Sequence, residues 1–149
     1  MNKKSIYLII GILVIIILGF LFFSGNSSGV TGEVILDNPD LIGDPDKVTI
    51  YFFWGDGCPH CSTQKPYLEE WAEEYGDNIE IKRFETWKNP ENIPLFQEVA
   101  SAYGIQARGV PTTFIGEKHW VGFSSSMAPE MKGYIEYCIE NTCETPIIN

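Results

Sequence analysis

Basic residues are scarce in this chain of 149 residues, which has 10 lysines and arginines against 20 aspartates and glutamates. Lys3 and Lys4 account for two of the ten, so the chain after them carries 8 basic and 20 acidic residues, a net charge of −12. A surface this acidic repels phosphate backbones. We therefore expect no nucleic-acid partner.

Candidate metal ligands are also few, with 4 cysteines and 2 histidines, and no internal repeat is apparent. The acidic, turn-rich segment 37–46 lacks the alternate oxygen ligands and distal glutamate of a calcium loop. The length leaves room for one ordinary domain. A hydrophobic share of 44% excludes a wholly disordered chain.

The first 23 residues are predicted to anchor the protein in a membrane. Residues 6–23 are 18 uncharged and almost entirely apolar residues, which as a helix would span about 27 Å of a ~30 Å hydrocarbon core. Lys3 and Lys4 precede them and place the N-terminus in the cytoplasm by the positive-inside rule. The alternative is a cleaved signal peptide, although residues 21–25 do not match an Ala-x-Ala-like cleavage site. Both interpretations place the remaining chain outside the cytoplasm.

The remaining chain divides into a linker and one folded domain. Residues 24–46 are rich in serine, glycine, asparagine and acidic turn residues, which is typical of a flexible tether. Residues 47–149 form the predicted domain. Its hydrophobic patterns predict strands at 48–53, 79–84, 112–115 and 118–121, and helices around 68–75, 96–103 and 131–139. This order predicts an α/β fold, with helices flanking a mixed sheet that is parallel first and antiparallel at the end.

The residues that carry chemistry are concentrated in Cys58-Pro59-His60-Cys61, at a predicted strand-to-helix junction. Cys58 lies at the helix N-terminus, where free N–H groups and the helix dipole favour a thiolate, the nucleophile of disulfide exchange. Cys61 lies one turn further along and is placed to resolve a mixed disulfide. His60 is expected to lower the pKa of Cys58 by donating to the thiolate.

Two other interpretations of this motif remain open. One is a structural disulfide across the tight loop. The other is half of a zinc site, completed by Cys138, Cys143 or a histidine such as His119. The five-residue spacing of Cys138 and Cys143 is not typical of a zinc knuckle, so we predict no metal.

From residue 48 to residue 143 the chain resembles thioredoxin-like thiol–disulfide oxidoreductases. Trp54 lies four residues before the first cysteine and Pro66 five residues after the second, as in that family. The sequence Gly109-Val110-Pro111-Thr112 is similar to the family's cis-proline loop. The resemblance implies a thioredoxin-like fold, a catalytic dithiol without a cofactor, and substrate binding at Trp54, Val110 and Pro111.

The Pro59-His60 dipeptide and the valine before Pro111 resemble the bacterial periplasmic oxidoreductases of the Dsb type, which introduce disulfides. This implies cysteine-containing protein substrates, bound as an extended strand beside Val110 and Pro111, and a quinone-linked membrane redox partner. The chain departs from the pattern at Phe52, where many thioredoxins have a buried acid, and it lacks room for the helical insertion of Dsb oxidants. The alternative function is a thioredoxin-fold module that binds metal or a partner through its thiols without turnover.

The second cysteine pair, Cys138 and Cys143, is predicted to form a structural disulfide, because disulfides persist outside the cytoplasm. An unbroken helix would turn by ~500° and rise ~7.5 Å over five residues, which points the two side chains apart. The bond therefore requires the last helix to end near Glu140 and Asn141, and asparagine is a plausible terminator. The alternative is two free thiols, with Cys138 on the apolar face of its helix.

Overall fold

A computed structural model describes residues 39–146 of the protein. The membrane anchor predicted at residues 1–23, and the tether as far as residue 38, lie outside the described residues. Between residues 39 and 146, no helix combines the length and the apolar character needed to cross a membrane.

The regular elements follow the predicted order of strands and helices, which confirms the α/β fold. They are β1 (Val48–Trp54), α1 (Pro59–Tyr75), β2 (Ile79–Glu85), α2 (Asn92–Ala102), β3 (Thr112–Ile115), β4 (Lys118–Val121) and α3 (Ala128–Asn141). Short 3-10 helices lie at Pro39–Leu41, Gly76–Asn78 and Ser125–Met127.

The four described strands form one mixed sheet in the order β2-β1-β3-β4. β1 runs parallel to β2, and α1 makes the crossover connection that parallel neighbours need. β3 is antiparallel to β1 and forms a hairpin with β4, as predicted from the turn at Gly116 and Glu117. Gly116 has a φ of +50°, and a Cβ there would lie 2.7 Å from the Cβ of Cys143, so this turn requires glycine.

Strand β1 supplies side chains to two hydrophobic cores because successive residues of a strand point to opposite faces of the sheet. Ile50 and Phe52 face the core that contains Cys58, Cys61 and apolar buried residues of α1 and α3. Tyr51 and Phe53 face the core that contains the buried residues of α2. The sheet thus fixes the end of β1, and the four-residue loop 55–58 joins it to the start of α1.

The segment before β1 is not tether throughout. Leu41 is fully buried in the core on the α2 side, and its carbonyl oxygen accepts a 2.7 Å hydrogen bond from Tyr51 Oη. Burying a leucine side chain stabilises a fold by about 1.5–3 kcal/mol. Leu41, which lies in the segment predicted as a tether, is therefore packed into the core of the domain.

Candidate active site

The loop after β1 places Cys58 at the N-cap of α1. Its Sγ accepts a 3.1 Å hydrogen bond from the backbone N–H of Cys61, and Pro59, which has no N–H, begins the helix. Cys58 and Cys61 are joined by a disulfide with their Cα atoms 5.3 Å apart, and they are 3% and 1% exposed. When the bond is reduced, the same N–H group and the helix dipole favour a thiolate at Cys58.

A second loop, between α2 and β3, lies against the active-site sulfur. The Val110–Pro111 peptide bond is cis, and the carbonyl oxygen of Val110 lies 3.7 Å from Cys58 Sγ. Two hydrogen bonds of 2.7 Å hold the loop: Thr112 Oγ1 donates to the Gly109 oxygen, and the Gly122 N–H donates to the Pro111 oxygen. The structure therefore brings Val110 and Pro111 to Cys58.

His60 lies on the exposed first turn of α1, and its hydrogen-bond partner is a backbone carbonyl group rather than Cys58. Its Nδ1 is 3.1 Å from the carbonyl oxygen of Phe123, to which it donates in the Nδ1–H form. This contact joins the start of α1 to the loop after β4. The role of His60 as a donor to the Cys58 thiolate stays a prediction.

Trp54, predicted to contact substrate, ends β1 beside the active-site loop. The Nζ of Lys65 lies 3.1 Å from the centroid of its ring, which is a cation–π contact. The exposed ring of Trp87 covers Gly55, where an added Cβ would lie 2.3 Å from a ring carbon. Gly55 is therefore required for Trp87 to lie against this loop.

Sequence reasoning missed Glu85, which joins the loops after β1 and β2. Its buried carboxylate accepts backbone N–H bonds from Asp56, Trp87, Lys88 and Asn89 at 2.8–3.0 Å. Burial acts to raise the pKa of Glu85, but these hydrogen bonds outweigh it and hold the pKa below its ordinary value. An acid at the end of a strand, before a run of turn residues, is the only signal the sequence offers.

Asp56, which precedes Cys58 by two residues, forms an ion pair with Lys88. The hydrogen bond from Lys88 lowers the pKa of Asp56, with the positive charge of Lys88 adding to the effect. The pairing offsets the charge that would otherwise oppose a thiolate at Cys58.

The second cysteine pair lies at the C-terminal end of a helix, whereas Cys58 lies at an N-terminal end. Cys138, in the last turn of α3, is bonded to Cys143 with a Cα separation of 4.8 Å. The helix ends at Asn141, but Thr142 adopts the left-handed conformation (φ 53°), and its N–H donates to the Cys138 oxygen. The helix therefore ends where predicted, at Asn141, and the left-handed residue that turns the chain is Thr142 rather than the asparagine. All four cysteines of the chain are thus paired in two disulfides.

No protein-family model matches the chain. The chain is 34% identical over 91 residues to a thioredoxin from Methanocaldococcus jannaschii, which covers 60% of this chain and 91% of that thioredoxin. The chain belongs to the thioredoxin family. This thioredoxin-family protein is also 33% identical over 91 residues to the thiol:disulfide interchange protein DsbA of Burkholderia cepacia, covering 59% of its own length but only 42% of DsbA.

Among solved structures, a Chlorobium tepidum protein assigned as a thiol:disulfide interchange protein DsbE matches with a TM-score of 0.51 and 15% identity. The match covers 64% of this chain and 82% of that one, and it supports the thioredoxin-like fold. With its Cys-x-x-Cys pair and its thioredoxin and DsbA relatives, the protein is a thiol–disulfide oxidoreductase.

Proposed function

We propose that this protein oxidises cysteine-containing proteins outside the cytoplasm by passing them the Cys58–Cys61 disulfide. The observation that carries the proposal is the position of Cys58 Sγ. It lies at the start of a 17-residue helix, accepts the Cys61 N–H, and faces the Val110 oxygen beside Pro111. The helix start therefore stabilises in advance the Cys58 thiolate, which is the group released when the mixed disulfide with substrate is resolved.

The reaction has two exchange steps. A substrate thiolate attacks Cys58 Sγ, the Cys58–Cys61 bond breaks, and Cys61 leaves and takes up a proton. A second substrate thiolate then attacks the substrate sulfur of the mixed disulfide and releases Cys58 as a thiolate. The substrate is oxidised by two electrons, which reduce the protein. A disulfide-bearing, quinone-linked membrane partner is proposed to remove those electrons.

The substrate is proposed to bind as an extended strand beside Val110 and Pro111. The loop is already held by its hydrogen bonds from Thr112 and Gly122, which reduces the ordering that binding must supply. The exposed Trp87 and the half-buried Trp54 add an aromatic surface on the side of β2.

The proposed location rests on the sequence alone. The apolar residues 6–23 and the preceding Lys3 and Lys4 support a single membrane pass with the domain outside. Labelling tests this, using a cysteine-free protein with one engineered surface cysteine and a membrane-impermeant reagent. We expect labelling in intact cells, whereas protection until lysis would contradict the topology and the export.

The direction of exchange is tested by the reduction potential of the Cys58–Cys61 couple against glutathione. A Cys138→Ser, Cys143→Ser variant serves as the control in which only this couple titrates. We expect a potential between the ≈ −270 mV of thioredoxin and the ≈ −120 mV of DsbA, because a stabilised Cys58 thiolate favours the reduced form. A potential at or below about −270 mV would mark a reductase. The wild type should also oxidise a reduced, unfolded multi-cysteine protein.

A further inference from the structure

Gln64 is a polar residue in the apolar face of α1. The buried residues of this helix are Cys61, Gln64, Leu68 and Trp71, and Gln64 is 0% exposed. Helical spacing thus places an amide where the pattern calls for an apolar side chain. Burying an amide costs free energy unless its polar atoms are hydrogen-bonded.

In the disulfide form, only half of that amide is paired by the part of the chain that the structure describes. Nε2 donates a 2.7 Å hydrogen bond to Thr113 Oγ1 on β3, which fixes the amide against the sheet. Within residues 39–146, the buried Oε1 of Gln64 has no hydrogen-bond partner. The oxidised protein therefore leaves a strong acceptor unused.

The reactive residue nearest to Gln64 on the same face of α1 is the active-site cysteine Cys61. Residues three apart are neighbours on one helix face, with Cβ atoms about 5–6 Å apart, and both side chains are buried. In the disulfide Cys61 has no proton to donate, whereas after reduction it carries an S–H group. Phe52, the strand partner of Thr113, is fully buried, and its hydrocarbon side chain has no strong acceptor for that S–H.

We propose that Gln64 is a positioning residue of the redox couple: its Oε1 accepts a hydrogen bond from the Cys61 thiol in the reduced protein. The acceptor is unpaired in the oxidised form and paired in the reduced form, so Gln64 favours reduction and makes the disulfide more oxidising. This inference rests on the proposed exchange at Cys58 and Cys61.

The proton balance follows from the two cysteines. A dithiol donor gives up two electrons and two protons and becomes a disulfide. The two electrons break the Cys58–Cys61 bond, one proton binds Cys61 and is held by Gln64, and Cys58 remains a thiolate. The second proton goes to water.

The test compares Gln64→Met with Thr113→Val by equilibrium with reduced and oxidised glutathione. Methionine keeps the length of glutamine but lacks its strong acceptor. We expect Gln64→Met to lower the equilibrium constant for reduction about fivefold, which corresponds to about 20 mV toward reducing. Thr113→Val removes the partner of Nε2 but keeps Oε1, so its potential should match the wild type.

Unfolding of both redox forms separates this role from a structural one. Gln64→Met should destabilise the reduced form relative to the oxidised form, whereas Thr113→Val should affect both alike. Gln64→Asn, which retracts the amide by one methylene, should shift the potential in the same direction and replaces Gln64→Met if that variant does not fold.

An unchanged potential in the Gln64 variants, as expected if Oε1 has the same partner in both redox forms, overturns the inference. An equal shift in Thr113→Val overturns it as well. These results are independent of protein substrates: a wild type that equilibrates with glutathione but does not oxidise proteins contradicts the proposed function and not the role of Gln64.

Discussion

The two disulfides of this protein lie at opposite ends of helices. Cys58 caps the start of α1, and Cys61 follows in its first turn. Cys138 lies in the last turn of α3, and Cys143 follows the end of that helix. Burial does not distinguish the inner cysteines, since Cys61 and Cys138 are each 1% exposed. The position on the helix distinguishes the pairs.

The physical difference lies in what each helix end offers to a thiolate. At the N-terminus, unpaired N–H groups and the positive end of the dipole stabilise an anion. At the C-terminus, carbonyl oxygens and the negative end of the dipole oppose one. The first disulfide is therefore suited to exchange, and the second to holding the chain beside the turn at Gly116.

The largest expected effect is the difference in exchange activity between variants that lose one cysteine of the first pair or one cysteine of the second pair. Cys58→Ser should remove all exchange above the buffer background, because a serine hydroxyl does not replace the thiolate. Cys143→Ser should retain most of it. Oxidation of a reduced, unfolded multi-cysteine protein measures both, and comparable losses in the two variants would contradict the contrast.

Reducing only the first pair should stabilise the protein near and above neutral pH. A lowered Cys58 pKa stabilises the reduced form fully above the unperturbed value of about 8.5, and the advantage is lost as pH falls through the lowered value.

Denaturant unfolding of both redox forms from about pH 8 to pH 4 measures this advantage. It is done in the Cys138→Ser, Cys143→Ser background, so that only the first pair changes state. A disulfide form that is more stable than the dithiol form at neutral pH would instead indicate a reductase.

Removing the second pair should cost stability without changing the potential of the first. The double substitution Cys138→Ser, Cys143→Ser should lower the free energy of unfolding by about 2 kcal/mol, since the bond closes a loop of only about five residues. Alkylation of a Cys58, Cys61 double variant followed by intact-mass analysis is the companion measurement. Two alkyl groups added without reductant would show that this pair is not bonded.

The smallest effect is expected from removing the positive charge of Lys88, which is paired with Asp56 beside the first cysteine pair. Lys88→Met should raise the pKa of Asp56 toward its ordinary value, because the hydrogen bond from Lys88 is what lowers it. With Lys88 present, Asp56 contributes stability above its ordinary pKa that is lost as pH falls through the lowered value. NMR titration of the Asp56 carboxyl group measures the shift, and an unchanged titration would contradict the ion pair.

Sequence reasoning was sufficient for the elements whose signals are local. The β-branched and aromatic run predicted β1, and the spacing of apolar residues predicted α3. The turn at Gly116 and Glu117 predicted the β3–β4 hairpin with its bounds, because a turn residue and two short strands are contiguous in the chain. Cys58 and Cys61 were predicted for the same reason: their helix-terminal chemistry needs only four consecutive residues.

Tertiary structure decided the features that join distant parts of the chain. The Glu85 carboxylate accepts hydrogen bonds from N–H groups of two loops. The Leu41 carbonyl oxygen accepts a hydrogen bond from Tyr51. His60 is hydrogen-bonded to the carbonyl oxygen of Phe123, 63 residues away. Packing also leaves the side-chain oxygen of Gln64 buried and without a hydrogen-bond partner among residues 39–146, which no periodicity predicts. Composition and spacing report what a segment prefers by itself, whereas a buried hydrogen bond depends on which other segment the fold brings to it.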